Sequence, residues 1–167
     1  MRFTMSFLAL LLAGCLAEDV SSGLTETGGC ADVLMYAAND TDTVALWANF
    51  NSLAYFAVES GRTIDETYDL NGFNQGENRV AILEGEDVTA DFCVDITWEL
   101  DPPARRRFNP VSGELSITIV PDEGAELSEP YSQATLELRD ATFLNLLGSQ
   151  RTIESLTLTE MVGWEPE

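Results

Sequence analysis

The chain has 167 residues, enough for one domain of ordinary size behind a short leader. Its 29 acidic residues outnumber 8 basic residues, all of them Arg, and the formal net charge is −21. Such a surface repels phosphate, so the composition excludes nucleic acid as a partner and is typical of a solubility adaptation.

The first residues are typical of an export signal. The apolar run Phe3–Leu12 is shorter than the roughly 20 residues of a bilayer span but matches the core of a signal peptide. The residues Leu12-Ala13-Gly14-Cys15 then resemble the lipobox of bacterial lipoproteins. This resemblance implies that a leader, 1–14, is removed and that Cys15 carries membrane lipid; Leu16, in place of Asp, implies the outer membrane. The alternative is an ordinary secretory leader with a chance cysteine.

A polar, small and acidic stretch follows the lipobox. It predicts a flexible lipidated tether, 15–29, and a folded domain, 30–167. Cys30 and Cys93 remain in an oxidising compartment and predict a disulfide, which would close a loop of about 60 residues and contribute roughly 4 kcal/mol. Two separate buried thiols are the alternative.

Period-two alternation of apolar and polar residues dominates the domain and predicts β-strands with one buried face. The predicted strands lie at 80–82, 92–100, 115–119, 134–138 and 156–164, with turn residues between them. Cys93 lies on the polar side of its strand, so the disulfide is expected on the outer face or edge of the sheet, unless a bulge reverses it.

Two stretches are ambiguous. Within Asp42–Glu59 we favour a hairpin of Thr43–Phe50 and Leu53–Ser60, although apolar residues three and four apart also fit a helix over part of it. We interpret Phe143–Leu147 as a strand running into a turn. Together these elements predict an all-β fold, an antiparallel β-sandwich of about seven to nine strands with Ig-like architecture.

Two runs of the chain carry a wider resemblance. Gly29–Asn39 and Leu156–Trp164, with Cys93 between them, resemble lipoproteins of GC-rich, myxobacterium-like bacteria. That resemblance implies an envelope lipoprotein, and it supplies no functional residues because the group has no assigned activity.

Calcium is the one cofactor that the sequence suggests. Asp40 and Asp42 alternate in the turn Asn39–Asp42, and Glu84–Asp87 forms a second acidic turn. Calcium prefers such loop oxygens, but neither turn matches the twelve-residue helix–loop–helix pattern. The alternative is an Asp-rich turn that stabilises its own backbone.

Arginines and aromatic rings are the remaining binding candidates. Arg105, Arg106 and Arg107 would form a positive spot for a carboxylate or phosphate of an envelope partner, or would pair with neighbouring Asp and Glu. Exposed rings would bind a glycan or a protein, whereas buried rings would fill the core. The rings concerned are Trp47, Tyr55, Phe56, Tyr68 and Phe73.

Catalysis is poorly supported. The chain has no His and no Lys, so the usual base near neutral pH and imine chemistry are lacking. A carboxylate pair could hydrolyse a glycan. The acidic residues concerned are Glu84, Glu86, Asp87, Asp91, Asp95 and Glu99. We therefore predict a membrane-anchored, non-catalytic envelope domain that binds an envelope protein or glycan or serves a structural role. A calcium-stabilised adhesin-like module and a glycan-active enzyme are the alternatives.

Overall fold

The structure, a computed structural model, describes residues 17–75, 77–90, 92–93, 106–129 and 131–163. These ranges form a mostly β fold with a single α-helix, which confirms the coarse prediction of a β protein. The strands are β1 Glu18–Asp19, β2 Glu26–Cys30, β3 Val33–Ala38, β4 Val44–Phe50, β5 Ile64–Asp69, β6 Arg79–Glu84, β7 Arg106–Pro121, β8 Ser132–Leu144 and β9 Gln150–Val162. The helix, α1, is Leu53–Ser60.

The strands form one curled mixed sheet in the order β1-β9-β8-β7-β6-β4-β3-β2, with β5 beside β7. The pairs are antiparallel except β1–β9, which is parallel. The long strand β7 pairs with β6 through Arg106–Phe108 and with β5 through Glu114–Ile119. It therefore joins two halves of the sheet, β2-β3-β4-β6 and β1-β9-β8 with β5.

The main core lies on the inner face of the curled sheet. Both halves contribute to it, for example Met35 and Ile82 from one half and Leu136 and Leu158 from the other. Alternate residues of a strand point to opposite faces, so β3, β4 and β6 also present an outer face. That face is buried under Val88 and Phe92, and it includes Ala45, Trp47, Ala81 and Leu83.

The predicted disulfide between Cys30 and Cys93 is confirmed, with a Cα–Cα distance of 5.6 Å and a sequence separation of 63. Cys93 packs against the outer-face cluster, away from the main core. It lies in a turn with φ 56°, so Phe92 and Cys93 do not begin the strand that alternation predicts. Residues 94–100 of that predicted strand lie outside the described residues.

The second strand of the favoured hairpin is wrong, because Leu53–Ser60 forms α1. Ser52 and Gly61 flank the helix with φ of 65° and 60°, which turns the chain at both ends. Ala54 and Ala57, three residues apart, are fully buried against the core. These small side chains let the helix lie close to the sheet. The apolar residues of Leu53–Ser60 therefore follow the helical period and not the two-residue period of a strand.

The described part of the expected tether belongs to the folded domain. It holds β1, a 3-10 turn at Ser21–Gly23 and β2, so the predicted boundary at Cys30 is too late. A Cβ at Gly29 would lie 2.8 Å from the Cβ of Glu160, so only a glycine lets β2 approach β9 this closely. The small residues that indicate a linker in the sequence serve close packing here. No helix in the described ranges is long and apolar enough to cross a bilayer.

Candidate functional site

A buried ion cluster lies at the end of β6. The Glu84 side chain sits where β4, β6 and β7 meet, and the residue is only 4% exposed. Its Oε1 accepts a hydrogen bond of 2.6 Å from Nε of Arg151. Its Oε2 lies 2.8 Å from Nη2 of Arg106, an ion contact without the alignment of a directed hydrogen bond. Two guanidinium groups therefore contact the two oxygens of one carboxylate.

Strand register assembles this cluster. Antiparallel pairing of β6 with β7 sets Glu84 opposite Arg106. Parallel pairing of β1 with β9 sets Glu18 opposite Arg151, and Oε2 of Glu18 lies 3.3 Å from Nη1 of Arg151. The guanidinium of Arg151 also lies 4.9 Å from the ring centre of Phe108, a cation–π contact.

The cluster borders an open groove of about 510 Å³, whose lining includes Glu18, Glu84, Arg106 and Arg151. Arg106 faces solvent there, with a side chain that is 58% exposed. Since carboxylates and guanidinium groups contact each other within the groove, it offers both signs of charge over a short distance. Such a surface suits a zwitterionic or polar group better than a simple ion of either sign.

No family model matches this chain, and no curated protein or solved structure matches it either. Its role therefore has to follow from its own residues.

The arginine run is only partly a solvent-facing feature. Arg106 takes part in the ion cluster, and Arg105 lies outside the described residues. The Nε of Arg107 donates a 3.0 Å hydrogen bond to Oδ1 of Asn109, and its guanidinium lies 5.6 Å from the ring centre of Trp47. Both described arginines thus make contacts within the chain, and Arg106 pairs with a carboxylate as the pairing alternative expects.

The two acidic turns are neighbours, which the sequence could not show. The backbone N–H of Gly85 donates to the carbonyl of Thr43 at 3.0 Å, and that of Thr89 donates to Oδ1 of Asp42 at 3.1 Å. Asp42 has φ 49°, as a turn residue, while Asp40 is exposed. In the described ranges, no three acidic or sulfur side chains are grouped as a metal site requires. The geometry gives Asp42 a structural role, in which its carboxylate links the two turns through Thr89.

The aromatic candidates divide into two groups. Trp47 is 2% exposed, and Tyr68 and Phe73 pack on each other with ring centres 5.1 Å apart. Tyr55 and Phe56 instead lie on α1 with 38% and 50% of their surface exposed. Trp47 is buried, and Tyr68 and Phe73 pack partly buried against the main core, so among these five rings the pair on α1 is the most exposed.

Asp32 serves the start of α1. Its Oδ1 accepts a hydrogen bond of 3.3 Å from the N–H of Tyr55, while its buried Oδ2 has no hydrogen-bond partner. Burial raises the pKa of Asp32, and hydrogen bonds from the first N–H groups of the helix oppose part of that rise. This carboxyl caps the helix from a distant position in the chain.

Proposed function

We propose that this chain is a lipoprotein of the bacterial cell envelope, anchored in the outer membrane by lipid on Cys15. The observation that carries the proposal is Leu12-Ala13-Gly14-Cys15 directly after the apolar run Phe3–Leu12. The Cys30–Cys93 disulfide supports export, because such bonds persist in oxidising compartments.

In this proposal the exported domain binds or supports envelope components without catalysis. The chain has neither His nor Lys. The most buried carboxylate in the described ranges, Glu84, has both oxygens in contact with guanidinium groups. These contacts favour a structural role for it over proton transfer to a substrate.

We further propose that the halves of the curled sheet act as the two layers of a β-sandwich of Ig-like architecture. The support is the main core cluster, which takes side chains from both halves of the sheet.

Metabolic labelling tests the anchor. The full chain, produced in a bacterium supplied with labelled palmitate, should carry label and lose residues 1–14, as read by mass spectrometry. Cys15→Ser should carry no label, whereas Cys30→Ser should retain it. Label on Cys15→Ser, or an intact Met1 on the wild-type chain, would contradict the proposal.

A further inference from the structure

The turn between β8 and β9 presents two apolar side chains to solvent. Leu146 is 100% exposed and Leu147 is 89% exposed. Among the described residues, the next most exposed large apolar side chain is Phe56, at 50%. Two adjacent leucines this exposed keep nearly all of their apolar surface in water, and burying that surface would be favourable.

This turn is built to hold the leucines outward. Oδ1 of Asn145 accepts the backbone N–H groups of Leu147 and Ser149 at 2.9 and 2.8 Å. The N–H of Asn145 donates to the carbonyl of Ser149 at 3.1 Å, and Gly148 turns the chain with φ 81°. The exposure of the leucines therefore comes from an ordered turn.

The chain enters the fold at the same end of the sheet. Because β1 runs parallel to β9 with Glu18 opposite Arg151, residues before Glu18 lead toward the β8–β9 turn. Cys15 precedes Glu18 by three residues, a reach of at most about 11 Å for an extended chain. A lipid on Cys15 would therefore lie within that reach of Glu18, at the end of the sheet that presents the leucines.

We propose that Leu146 and Leu147 insert into the membrane beside the lipid on Cys15 and fix the orientation of the domain on the bilayer. This inference rests on the proposed lipid anchor. The anchor alone would leave the domain free to rotate, whereas a second apolar contact from the β8–β9 turn gives it one membrane-facing end.

The charges near the turn select the kind of lipid. The groove at this end holds Glu18, Glu84 and Glu86 beside Arg106 and Arg151, and the whole chain has a net charge of −21. A surface rich in anionic lipid would repel the domain, whereas zwitterionic headgroups offer an ammonium and a phosphate to a groove of mixed charge. The occupant that fits is a zwitterionic phospholipid surface.

The test uses the lipidated full chain in phosphatidylethanolamine–phosphatidylcholine vesicles. Leu147→Cys, labelled with an environment-sensitive fluorophore, should show a blue shift and quenching by lipids brominated on their acyl chains. The matched control is Leu127→Cys, which is 48% exposed on the loop between β7 and β8, at the far end of β8. It should show neither effect. Equal emission from the two labels in vesicles would overturn the inference.

Two further measurements sharpen the result. Adding Leu146→Glu to the labelled Leu147→Cys chain should reduce the blue shift, and replacing part of the lipid with phosphatidylglycerol should reduce it as well. A blue shift that appears without vesicles and grows with protein concentration would assign the leucines to contact between copies and overturn the inference. Mass spectrometry of the same sample separates the two proposals. Lipid on Cys15 without a blue shift refutes insertion alone, while absence of lipid refutes the anchor and the inference that rests on it.

Discussion

Glu84→Gln tests the buried ion cluster most directly. Glutamine keeps the shape of the side chain but removes the charge that Arg151 faces at 2.6 Å. The Arg151 side chain is only 16% exposed, so water restores little of its solvation, and breaking a buried pair costs about 3–5 kcal/mol. Arg151 keeps Glu18 at 3.3 Å, and Arg106 is well exposed. We therefore expect the low end, about 3 kcal/mol, or roughly 6–12 °C in Tm for a domain of this size.

Urea unfolding of the full chain, followed by tryptophan fluorescence, measures this loss. The urea concentration at the midpoint should fall, while the dependence of the unfolding free energy on urea concentration should not change. Glu137→Gln is the matched control, because Arg139 and Glu137 lie 2.7 Å apart with side chains 63% and 39% exposed. A pair this exposed should contribute less than about 1 kcal/mol. Equal losses for Glu84→Gln and Glu137→Gln would refute the argument that burial sets the strength of the cluster.

A double substitution separates the charge pair from its packing. Glu84→Leu with Arg151→Met removes both desolvated charges and fills similar volume, so its free energy of unfolding should lie close to that of the wild type. A loss equal to that of Glu84→Gln would mean that the pair itself, and not the unpaired charge, supplies the stability.

Three more outcomes are expected. Gly113 has φ 115°, and a Cβ there would lie 2.5 Å from the Cα of Ala141, so Gly113→Ala should destabilise by more than about 2 kcal/mol in urea unfolding. Gly124→Ala, with φ 88° and open space, should cost less; equal costs would contradict the steric account. Burial raises the pKa of Asp32 above its ordinary 3.8, so its contribution to stability is fullest below that pH and is lost as pH rises through the native pKa. Asp32→Asn should therefore flatten this part of the pH profile of Tm, and an unchanged profile would refute it. Calcium should leave Tm unchanged, since in the described ranges no three acidic side chains are grouped as a metal site requires; a rise that Asp42→Ala abolishes would restore the calcium module.

The alternation of apolar and polar residues predicts those strands that have one apolar and one polar face. Alternation predicts β7, β8 and β9, because one face of each packs on the main core while at least part of the other is polar. It also predicts β6 from Val80 and Ile82, although both faces of that strand are buried. The prediction that Phe143–Leu147 is a strand running into a turn is confirmed, because β8 ends at Leu144 and strict alternation ends with it. Alternation does not predict that the glycines of β2 and the alanines of α1 pack closely against other elements. A small residue permits close packing, but the sequence does not show which element lies next to it.

What the sequence by itself determined is the acidic character, the cysteine pair and the largely β composition, all of which depend on residue type or local period. Only the tertiary structure decided that Glu84 meets Arg151 across 67 residues, and that the start of β1 lies beside the β8–β9 turn. Such contacts depend on strand order and register, which are set by the apolar burial of all the strands together. A short stretch of sequence does not specify strand order or register, so the buried cluster and the exposed leucine pair can be recognised only in the folded chain.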